Sequence, residues 1–558
     1  MKRTLSLIIS IISILSSVPS QAKERVEFYW SDSGTRHYVG TIPESQPNAF
    51  SNTFWKGERA YCEAVISADS NLNGVTVKVT DLKSGQNLIP SSAVRVQFEL
   101  PVLGDAFTDE YCQCGERDSL TIPRIKVFDI LDISESADVK AGRYQPVWFT
   151  VNVPQNAAAG TYKGTVTLYS NDNKKMASLP LEVKVADHLL PAPYDWKFHL
   201  DLWQNPYSVA RYHGVELWSK EHFELMKPVM EVLAAAGQKV ITTTITNTPW
   251  HGQTHDPFAS MVAKVKCADG SWIYDYSAFD KWVEFMIGLG IDKQISCYSL
   301  VTWASEFDYF DSASTTHKHI FLKPGTEEYN AFWTPFIKDF AKHLREKGWF
   351  ERTCLAMDER GLEDMLAVTR LIREIEPGFK LSLAGFLHNE VEADLHDLCV
   401  TFHSEFPSDI IDRRRAEGKV STVYTCCSEK FPNTFTASQP AEAAWLPVYA
   451  IKNNYDGYLR WAYNSWTTDP MKDTRHRLYG AGDCFIAYPE GRSSVRLDKL
   501  IEGIQLFEKI RILKEGGMSE QSSEQLNEAF EAFTHQNLYD HGAKAALDMI
   551  KNTIDTIQ

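Results

Sequence analysis

Hydrophobic and polar positions alternate in short runs along the first third of the chain. These runs are rich in valine, threonine, phenylalanine and tyrosine, and clusters of glycine, asparagine, proline and serine separate them. The pattern is typical of an all-β sandwich. It predicts strands at 60–66, 75–80, 94–100, 147–153 and 160–169. We expect the sandwich to cover residues 23–190, because Pro191 and Pro193 then stop both helix and strand ladder.

From Trp196 onward, apolar runs alternate with segments of helical periodicity. Eight such units predict parallel strands with right-handed crossovers, and therefore a (β/α)8 barrel, over residues 191–515. A helical tail follows at 516–558. The alternative is an open doubly wound sheet, which the lack of a glycine-rich nucleotide turn in the sequence disfavours. The expected barrel strands are 197–203, 239–246, 294–302, 353–357, 380–385, 400–404, 421–426 and 457–463.

The first 22 residues have the pattern of a secretory signal peptide. Lys2 and Arg3 precede an apolar run at 5–15, and small residues up to Ala22 form a cleavage site. A membrane anchor is the alternative, but the apolar run is short for a bilayer. The first cysteine is Cys62, so none near the cut could carry a lipid. We expect an exported protein, periplasmic or secreted, with no transmembrane segment.

Composition narrows the possible partners and cofactors. The chain has 558 residues and a net charge of −16, an acidic balance that disfavours nucleic acid. Among ten cysteines, Cys112 and Cys114 are close in sequence, as are Cys426 and Cys427, but neither pair has zinc-site spacing. We expect no metal, no cofactor and mostly buried free thiols, with disulfides as the alternative. The oligomeric state stays open.

The Asp358-Glu359 pair stands where a barrel of this kind carries its active site. The apolar strand at 353–357 runs directly into these carboxylates, and active sites of the fold lie at the C-terminal ends of the strands. Adjacent acids at the end of a buried strand are costly unless they are paired or used. Neutralisation by Arg360 is the structural alternative. Position and residue type favour acid catalysis.

Aromatic and polar residues also follow the other predicted strands. Flat aromatic faces stack on sugar rings, while amides and imidazoles hydrogen-bond the hydroxyls. After the third strand, Trp303 is followed by Glu306 and Asp308. The common placement at one barrel face predicts a sugar-binding site. Its candidate substrate-binding residues are Trp203, Asn247, Trp303, His403, Trp461, Tyr463, Asn464 and Trp466.

Several motifs resemble glycoside hydrolase family 123, the exo-acting β-N-acetylgalactosaminidases. The resemblance covers nearly the whole chain after the predicted signal peptide, up to residue 515. Its motifs are the Ala-Gly-Thr-Tyr-x-Gly-Thr-Val segment at 159–166, Met357-Asp358-Glu359, the 457–466 segment GYLRWAYNSW, Tyr488-Pro489, the SVRL segment at 494–497 and the EGI segment at 502–504.

The resemblance implies a retaining mechanism in which the substrate supplies its own nucleophile. The 2-acetamido oxygen attacks the anomeric carbon to form an oxazolinium ion, which is an exception to the two-carboxylate scheme. Glu359 would then be the general acid and base, and Asp358 would orient the acetamido N–H. Tyr463 is the expected partner of the acetamido oxygen. The implied substrate is a glycan or glycosphingolipid with terminal β-linked N-acetylgalactosamine.

Two other interpretations stay open. A conventional retaining glycosidase would pair Glu359 with a nucleophile on strand seven, where Glu429 is the candidate, at about 5–5.5 Å. A secreted glycan-binding protein without catalysis would show the same sandwich and aromatic residues. The intact Asp358-Glu359 pair disfavours the second interpretation, since a binding protein gains nothing from two crowded acids.

Overall fold

The computed structural model describes residues 25–107 and 122–557. The predicted signal peptide, Cys112 and Cys114 lie outside these ranges. The described residues form a β-rich N-terminal region, a nearly closed eight-stranded parallel barrel with helices, and a C-terminal helical tail. The predicted fold class is therefore confirmed.

Two sheets packed face to face make up the N-terminal region. Their strands are β1 (Val26–Ser31), β2 (Thr53–Lys56), β3 (Arg59–Ala68), β4 (Leu72–Val79), β5 (Leu82–Ser84), β6 (Asn87–Ile89), β7 (Val94–Asp105), β8 (Arg124–Leu131), β9 (Ser136–Val139), β10 (Tyr144–Asn152), β11 (Gly160–Tyr169) and β12 (Lys175–Leu189). One sheet has the order β1-β3-β10-β7-β8, and the other has the order β2-β12-β11-β4-β9 with β5 and β6 at its side.

Strand β10 shows how the sandwich is joined to the rest of the molecule. Its first eight residues are all buried, because the strand has a core on each face. Val147 and Phe149 pack into the core between the two sheets, whereas Trp148 packs into the core that continues into the barrel. Successive side chains of a strand point to opposite faces, so one buried strand serves both cores.

The second half of the chain contains the barrel and a smaller sheet. The barrel order is β13-β24-β23-β22-β21-β20-β17-β14, and every neighbouring pair is parallel. The strands are β13 (His199–Leu202), β14 (Val240–Thr244), β15 (Ala263–Lys266), β16 (Trp272–Asp275), β17 (Gln294–Tyr298), β18 (Glu306–Asp311), β19 (Thr316–Phe321), β20 (Thr353–Asp358), β21 (Lys380–Gly385), β22 (Leu395–Thr401), β23 (Val420–Tyr424) and β24 (Gly457–Arg460).

Helices surround the barrel and form the tail. Polar caps fix several of their first turns: the Ser219 hydroxyl accepts the His222 N–H at 3.2 Å, and the Ser494 hydroxyl accepts the Leu497 N–H at 3.1 Å. The helices are α1 (Pro206–His213), α2 (Lys220–Ala235), α3 (Ser277–Gly288), α4 (Glu327–Lys347), α5 (Leu362–Ile375), α6 (Ser408–Ala416), α7 (Pro440–Lys452), α8 (Val495–Glu515), α9 (Glu520–Phe530) and α10 (His535–Ile557).

Two glutamine side chains complete the barrel between β13 and β14. The two strands share one backbone bridge, between Leu200 and Gln238. The Gln238 amide accepts the Leu202 N–H at 3.0 Å and donates to Val240 O at 2.7 Å. The Gln204 amide accepts the Thr242 N–H at 2.9 Å. Side-chain amides therefore satisfy main-chain groups that a regular strand ladder would pair.

The sixth barrel strand differs most from its prediction. The structure places it at Leu395–Thr401, about five residues before the predicted 400–404. Its residue Asp397 points into the barrel, where it accepts a hydrogen bond from Gln294 at 2.8 Å. This buried polar residue interrupts the apolar run that sequence reasoning looks for. Between β21 and β22 the described chain has a 3-10 turn (Glu392–Asp394) rather than an α-helix.

An additional four-stranded sheet rises from the loops that follow the second and third barrel strands. Its order is β16-β15-β18-β19, and it consists of two β-hairpins. One face packs on α4, with Trp272 at 5.4 Å from Phe332 and Tyr274 at 5.3 Å from Phe336. The sequence analysis did not predict this sheet.

Buried ion pairs join the sandwich to the barrel. Asp129 on β8 accepts hydrogen bonds from Arg496 on α8, the shortest at 2.8 Å, and from Arg36 at 3.0 Å. All three side chains are almost fully buried, and the Asp129 carboxyl has its pKa lowered because both guanidinium groups offset its burial. On the same helix, Asp498 accepts the Trp148 indole N–H at 3.0 Å.

The C-terminal tail packs on the barrel helices. The Phe533 ring stacks on Trp445 of α7 at 5.6 Å, and the Lys452 ammonium donates to Phe533 O at 2.9 Å. Across the described residues, no helix has the length and apolarity needed to cross a membrane. Seven cysteines of the described residues have free thiols, and five of these are buried, as expected. Cys427 takes part in a disulfide bond.

Candidate active site

The two candidate catalytic acids lie together at the C-terminal end of β20. Asp358 is the last residue of the strand, and Glu359 follows with a left-handed φ of 49°. The Glu359 N–H donates to Ala384 O at 2.7 Å, which ties it to the neighbouring strand β21. A Cβ atom on Gly385 would lie 3.1 Å from the Glu359 Cα, so the glycine leaves room for this backbone.

Asp358 is partly buried and accepts a side-chain hydrogen bond from the loop that follows the neighbouring strand β17. The Trp303 indole N–H donates to its Oδ2 at 3.2 Å. The pKa of Asp358 is raised well above its ordinary value, mainly because the carboxyl is withdrawn from water and also because Glu359 is close. The charge of Arg360 and the indole hydrogen bond act in the opposite direction. Asp358 therefore holds a proton more readily than an ordinary aspartate.

Arg360 does not neutralise the pair by direct contact. Its Nε donates to the main-chain carbonyl of Asp358 at 2.8 Å, and its guanidinium lies 5.5 Å from the centre of the Trp303 ring. Among the ion pairs of the described residues, none joins Arg360 to either carboxylate. Arg360 instead fixes the turn after Asp358 and supports Trp303 by a cation–π contact.

Glu359 has a partner from across the barrel. The Tyr424 hydroxyl, at the end of β23, donates to Glu359 Oε1 at 2.9 Å. Burial raises the pKa of Tyr424, and the charges of Glu359 and Asp358 raise it further, so the phenol stays protonated and remains a donor. Glu359 itself is exposed to solvent. A carboxyl group open to the cleft and held by one neutral donor suits proton transfer to a bound molecule.

Beneath the acid pair lies a cluster of aromatic rings. Trp203 stacks on Trp250 with ring centres 5.0 Å apart, and its ring centre lies 4.6 Å from that of Tyr298. The edge of Phe258 meets Trp250 at 4.9 Å. The pKa of Tyr298 is raised chiefly by burial, with Asp201 and Asp358 both contributing. Tyr298 is therefore close both to Asp358 of the acid pair and to Asp201.

The barrel interior contains a second aspartate with an unusual environment. The buried Asp201 accepts the Trp203 indole N–H at 3.2 Å through Oδ2, while its Oδ1 has no hydrogen-bond partner. Burial and the nearby Asp397 raise the pKa of Asp201 to about 7. His199 lies 3.6 Å from Asp397 and partly offsets these charges.

Trp461, a predicted binding residue, directly follows the last barrel strand, β24. Its indole N–H donates to Asp483 at 3.1 Å, and its ring meets the edge of Tyr479 at 5.0 Å. The pKa of Tyr479 is raised by burial and by acidic neighbours that include Glu359 and Asp358. Tyr479 comes from the long segment after β24 and was not among the predicted residues.

The remaining predicted binding residues occupy different positions. Trp203 belongs to the buried aromatic cluster, and Trp303 contacts Asp358 directly. Asn247 donates to Asp308 at 3.1 Å in the adjoining loop. The largely exposed His403 lies 3.9 Å from Glu429 and 5.8 Å from His535 of α10, so it is on the rim beside the tail.

Three of the predicted binding residues are buried, and their polar groups form hydrogen bonds within the fold. Tyr463 is fully buried, and its hydroxyl donates to Val229 O on α2 at 2.8 Å. Asn464 exchanges hydrogen bonds with the main chain of Asn205 at 2.8 and 2.9 Å. The buried Trp466 donates to Ala487 O at 2.8 Å. Because their polar groups are used within the fold, these residues are unavailable to a ligand.

Glu429 is held by its own loop. Its carboxylate accepts the Cys426 N–H at 2.7 Å and the Ser428 hydroxyl at 2.9 Å, and the residue is buried. The His403 Nε2 lies 3.9 Å from its Oε1. These contacts give it a role in shaping the loop after β23, and none of the described hydrogen bonds or ion pairs brings it to Glu359.

Sequence reasoning missed Tyr424, although a signal was present. Barrel residues alternate between the interior and the helices, and the last interior residue of each strand faces the mouth. On the predicted bounds 421–426 this rule selects Cys426, and Tyr424, two residues earlier on the same side, is selected once the strand ends there, as it does in the structure. Within the described part of the chain, no group of three or more histidine, cysteine, aspartate or glutamate side chains is arranged to hold a metal ion.

Comparison with known proteins gives matches for both parts of the chain. Residues 203–513 match the glycoside hydrolase 123 catalytic domain, and residues 30–170 match the glycoside hydrolase 123 N-terminal domain. A family 123 glycoside hydrolase from Clostridium perfringens, studied for glycolipid glycan hydrolysis, superposes with a TM-score of 0.86 at 25% identity. The match covers 95% of this chain and 98% of that chain.

Two further solved structures are much less similar. A Parabacteroides merdae β-glucuronidase has 8% identity and a TM-score of 0.28, with 88% of this chain and 52% of that chain covered. A Listeria innocua β-glucosidase has 13% identity and a TM-score of 0.14, with 30% and 17% covered. No curated protein matches the chain. The catalytic-domain match spans more than half of the chain, so this protein belongs to glycoside hydrolase family 123 and is an enzyme that hydrolyses glycosides.

Proposed function

We propose that the enzyme is a retaining exo-glycosidase that releases terminal β-linked N-acetylgalactosamine from glycans or glycosphingolipids. The observation that carries the proposal is the Asp358-Glu359 pair, in which each acid has its own hydrogen-bond donor. The similarity to the C. perfringens enzyme, studied for glycolipid glycan hydrolysis, supports the substrate class.

In the proposed mechanism the substrate's 2-acetamido oxygen is the nucleophile. Glu359 donates a proton to the glycosidic oxygen as the bond to the anomeric carbon breaks, and an oxazolinium ion forms. Asp358 accepts the acetamido N–H and balances the positive charge that develops on that group. Glu359, now a carboxylate, then removes a proton from water as the water opens the ring, and the product keeps its configuration.

The protonation state of the pair sets an expectation for pH dependence. Because the pKa of Asp358 is raised, its carboxyl group stays protonated to a higher pH than that of an ordinary aspartate. A protonated carboxyl is a poorer acceptor for the acetamido N–H. We therefore expect activity to fall on the acid side at a pH above the ordinary aspartate range, as Asp358 takes up its proton.

The deciding experiment compares three nitrophenyl glycosides: β-N-acetylgalactosaminide, β-N-acetylglucosaminide and β-galactoside. Cleavage of the first, with the plain galactoside untouched, is the expected result, because a galactoside has no acetamido nucleophile. Efficient cleavage of the plain galactoside would reject substrate assistance.

Variants separate the roles of the three acids. Glu359→Gln should lose turnover of substrates with poor leaving groups. Asp358→Asn should lose turnover of the acetamido substrate, since an amide cannot balance the positive charge. Glu429→Gln is the matched control and should keep most activity. Loss of all activity in the Glu429 variant, with its fold intact by circular dichroism, would favour the conventional two-carboxylate mechanism.

We also propose that the protein is exported, on the evidence of Lys2, Arg3 and the apolar run at 5–15. These residues lie outside the described ranges. Mass spectrometry of the protein from cell fractions and medium tests the proposal. A mature N-terminus at Lys23 in the periplasm or medium is expected, and an uncut chain in the cytoplasm would contradict export.

A further inference from the structure

The additional sheet beside the active site has one face without a partner among the described residues. Opposite residues of paired strands point to the same side of a sheet. The side that carries Trp272 and Tyr274 packs on α4, so the other side faces solvent. We name this side the platform face. It carries Val265 of β15, Ile273 of β16, Glu306, Asp308 and Phe310 of β18, and His317, His319 and Phe321 of β19.

The platform face exposes two large apolar side chains to water. Phe321 is 71% exposed and Ile273 is 57% exposed. Phe321 makes no aromatic ring contact with any described residue, whereas most large aromatic residues here are buried in clusters. Phe321 stands beside the polar residues of β18 and β19, whereas Ile273 is in register with Val265 and Phe310 at the other end of the sheet.

A polar network runs across the same face toward the active site. His319 Nδ1 lies 2.7 Å from Asp308, its Nε2 lies 3.6 Å from Glu306, and Asp308 accepts the Asn247 side-chain N–H at 3.1 Å. Asn247 follows barrel strand β14, so the network extends from the sheet to the mouth of the barrel. These side chains are exposed or partly exposed to solvent, so their polar atoms can form further hydrogen bonds with a ligand.

The platform face continues directly from the acid pair. Trp303 contacts Asp358 and stands three residues before Glu306, the first residue of β18. Phe321 is the register partner of Glu306, so it lies at the same end of the hairpin. From Glu306 to Phe310 the face extends about 13 Å along the strand. A ligand that reaches outward from Asp358 past Trp303 meets this face next.

We propose that the platform face binds the sugars on the leaving-group side of the scissile bond, so that the preferred substrate is an oligosaccharide. The proposal rests on the proposed exo-glycosidase function. Apolar rings would stack on the C–H faces of the sugars, and the Asp308-His319 pair would bind their hydroxyls. A lipid chain fits less well, since it has no groups to satisfy the carboxylates and imidazoles of the face.

The test compares substrates with and without leaving-group sugars. One substrate is the nitrophenyl β-N-acetylgalactosaminide, and the other is a free tetrasaccharide with terminal β-linked N-acetylgalactosamine. The variants are Phe321→Ala and His319→Ala. Tyr539→Ala is the matched control, because Tyr539 is a 68% exposed aromatic residue on α10 and does not belong to the platform face. Thermal melting confirms that each variant is folded.

We expect both platform variants to lower kcat/KM for the tetrasaccharide by about tenfold and to change the nitrophenyl value by less than about twofold. The control should change neither value. An equal fall on both substrates, or no fall on the tetrasaccharide, would overturn the proposal. So would a loss confined to the lipid-linked form of the tetrasaccharide in micelles, because that outcome assigns the face to lipid.

Failure of the proposed function gives a different result. If the wild-type enzyme cleaves neither substrate, the exo-glycosidase proposal fails, and calorimetric titration with the tetrasaccharide then tests the platform face alone. Binding that Phe321→Ala weakens by about tenfold would support a glycan site. Equal binding by both proteins, or binding by neither, would overturn it.

Discussion

The Asp201→Asn substitution tests the electrostatics inside the barrel. Asp201 is 3% exposed, and its Oδ2 accepts the Trp203 indole N–H at 3.2 Å. An asparagine has nearly the same shape, and its Oδ1 accepts the same indole N–H. The substitution therefore removes a titratable group and keeps the contact that orients Trp203 beneath the acid pair.

The magnitude follows from the shifted pKa. Asp201 has a pKa of about 7 in the folded protein, whereas an ordinary aspartate side chain has a pKa of 3.8. Its pKa is raised on folding, so its contribution to stability is greatest below the reference value and is lost as pH rises through about 7. Between pH 5 and pH 8 this loss amounts to about 2.5 kcal/mol, since one pKa unit corresponds to about 1.4 kcal/mol.

The assay is chemical denaturation of both proteins at several pH values from 5 to 8. The free energy of unfolding of Asp201→Asn, minus that of the wild type, should grow by about 2.5 kcal/mol across this range. Asp540→Asn is the control, because Asp540 is exposed on α10. The free energy of unfolding of this variant, minus that of the wild type, should stay constant. A constant or shrinking difference for Asp201→Asn would refute the reasoning.

Three further substitutions probe the site and its support. Tyr424→Phe should lower kcat/KM about 10- to 100-fold by removing the donor to Glu359, and wild-type kinetics would contradict this. Gly385→Ala should lower activity sharply, because the new Cβ presses on the Glu359 backbone. Gly288→Ala is the control and should be tolerated, since open space surrounds this glycine. Equal activity of the two variants would contradict the steric argument. Arg496→Met should destabilise the protein by about 3 kcal/mol in chemical denaturation by breaking a buried ion pair, and an unchanged midpoint would contradict that role.

The barrel could be predicted from sequence wherever its strands are continuous apolar runs. Strands β20 and β21 lie within a residue of their predicted bounds. The sixth strand was displaced because Asp397 faces inward, and its polar partners Gln294 and His199 become visible only in the folded barrel. A local pattern cannot show that a buried carboxylate is satisfied by residues from distant strands.

The sequence contains a turn signal for one hairpin of the additional sheet. Asp269-Gly270 separates two short alternating segments, and Asp-Gly is a strong hairpin turn signal. The position of the sheet could not be predicted in the same way. Its packing on α4 depends on Trp272 and Tyr274 meeting helix residues about 60 positions later.

Tyr463 and Tyr424 show a different limit of prediction from sequence. Tyr463 follows the eighth strand and lies in a motif that resembles the family, yet the chain has already left the barrel interior there. Its hydroxyl reaches α2, whereas Tyr424, which ends the seventh strand, meets Glu359. The direction of a side chain just past the end of a strand depends on where the backbone turns, and the sequence pattern does not encode that turn.

The backbone at Glu359 explains how two consecutive residues can serve one site. In a regular strand, Asp358 and Glu359 would point to opposite faces, one into the barrel and the other toward the helices. The left-handed φ at Glu359 breaks this alternation, and its N–H still pairs with Ala384 O, so the neighbouring strand holds the turn in place. Gly385 leaves the space that this turn requires. The site therefore depends on a strained residue and a glycine on adjacent strands, which place an acid contacted by Trp303 beside an acid contacted by Tyr424.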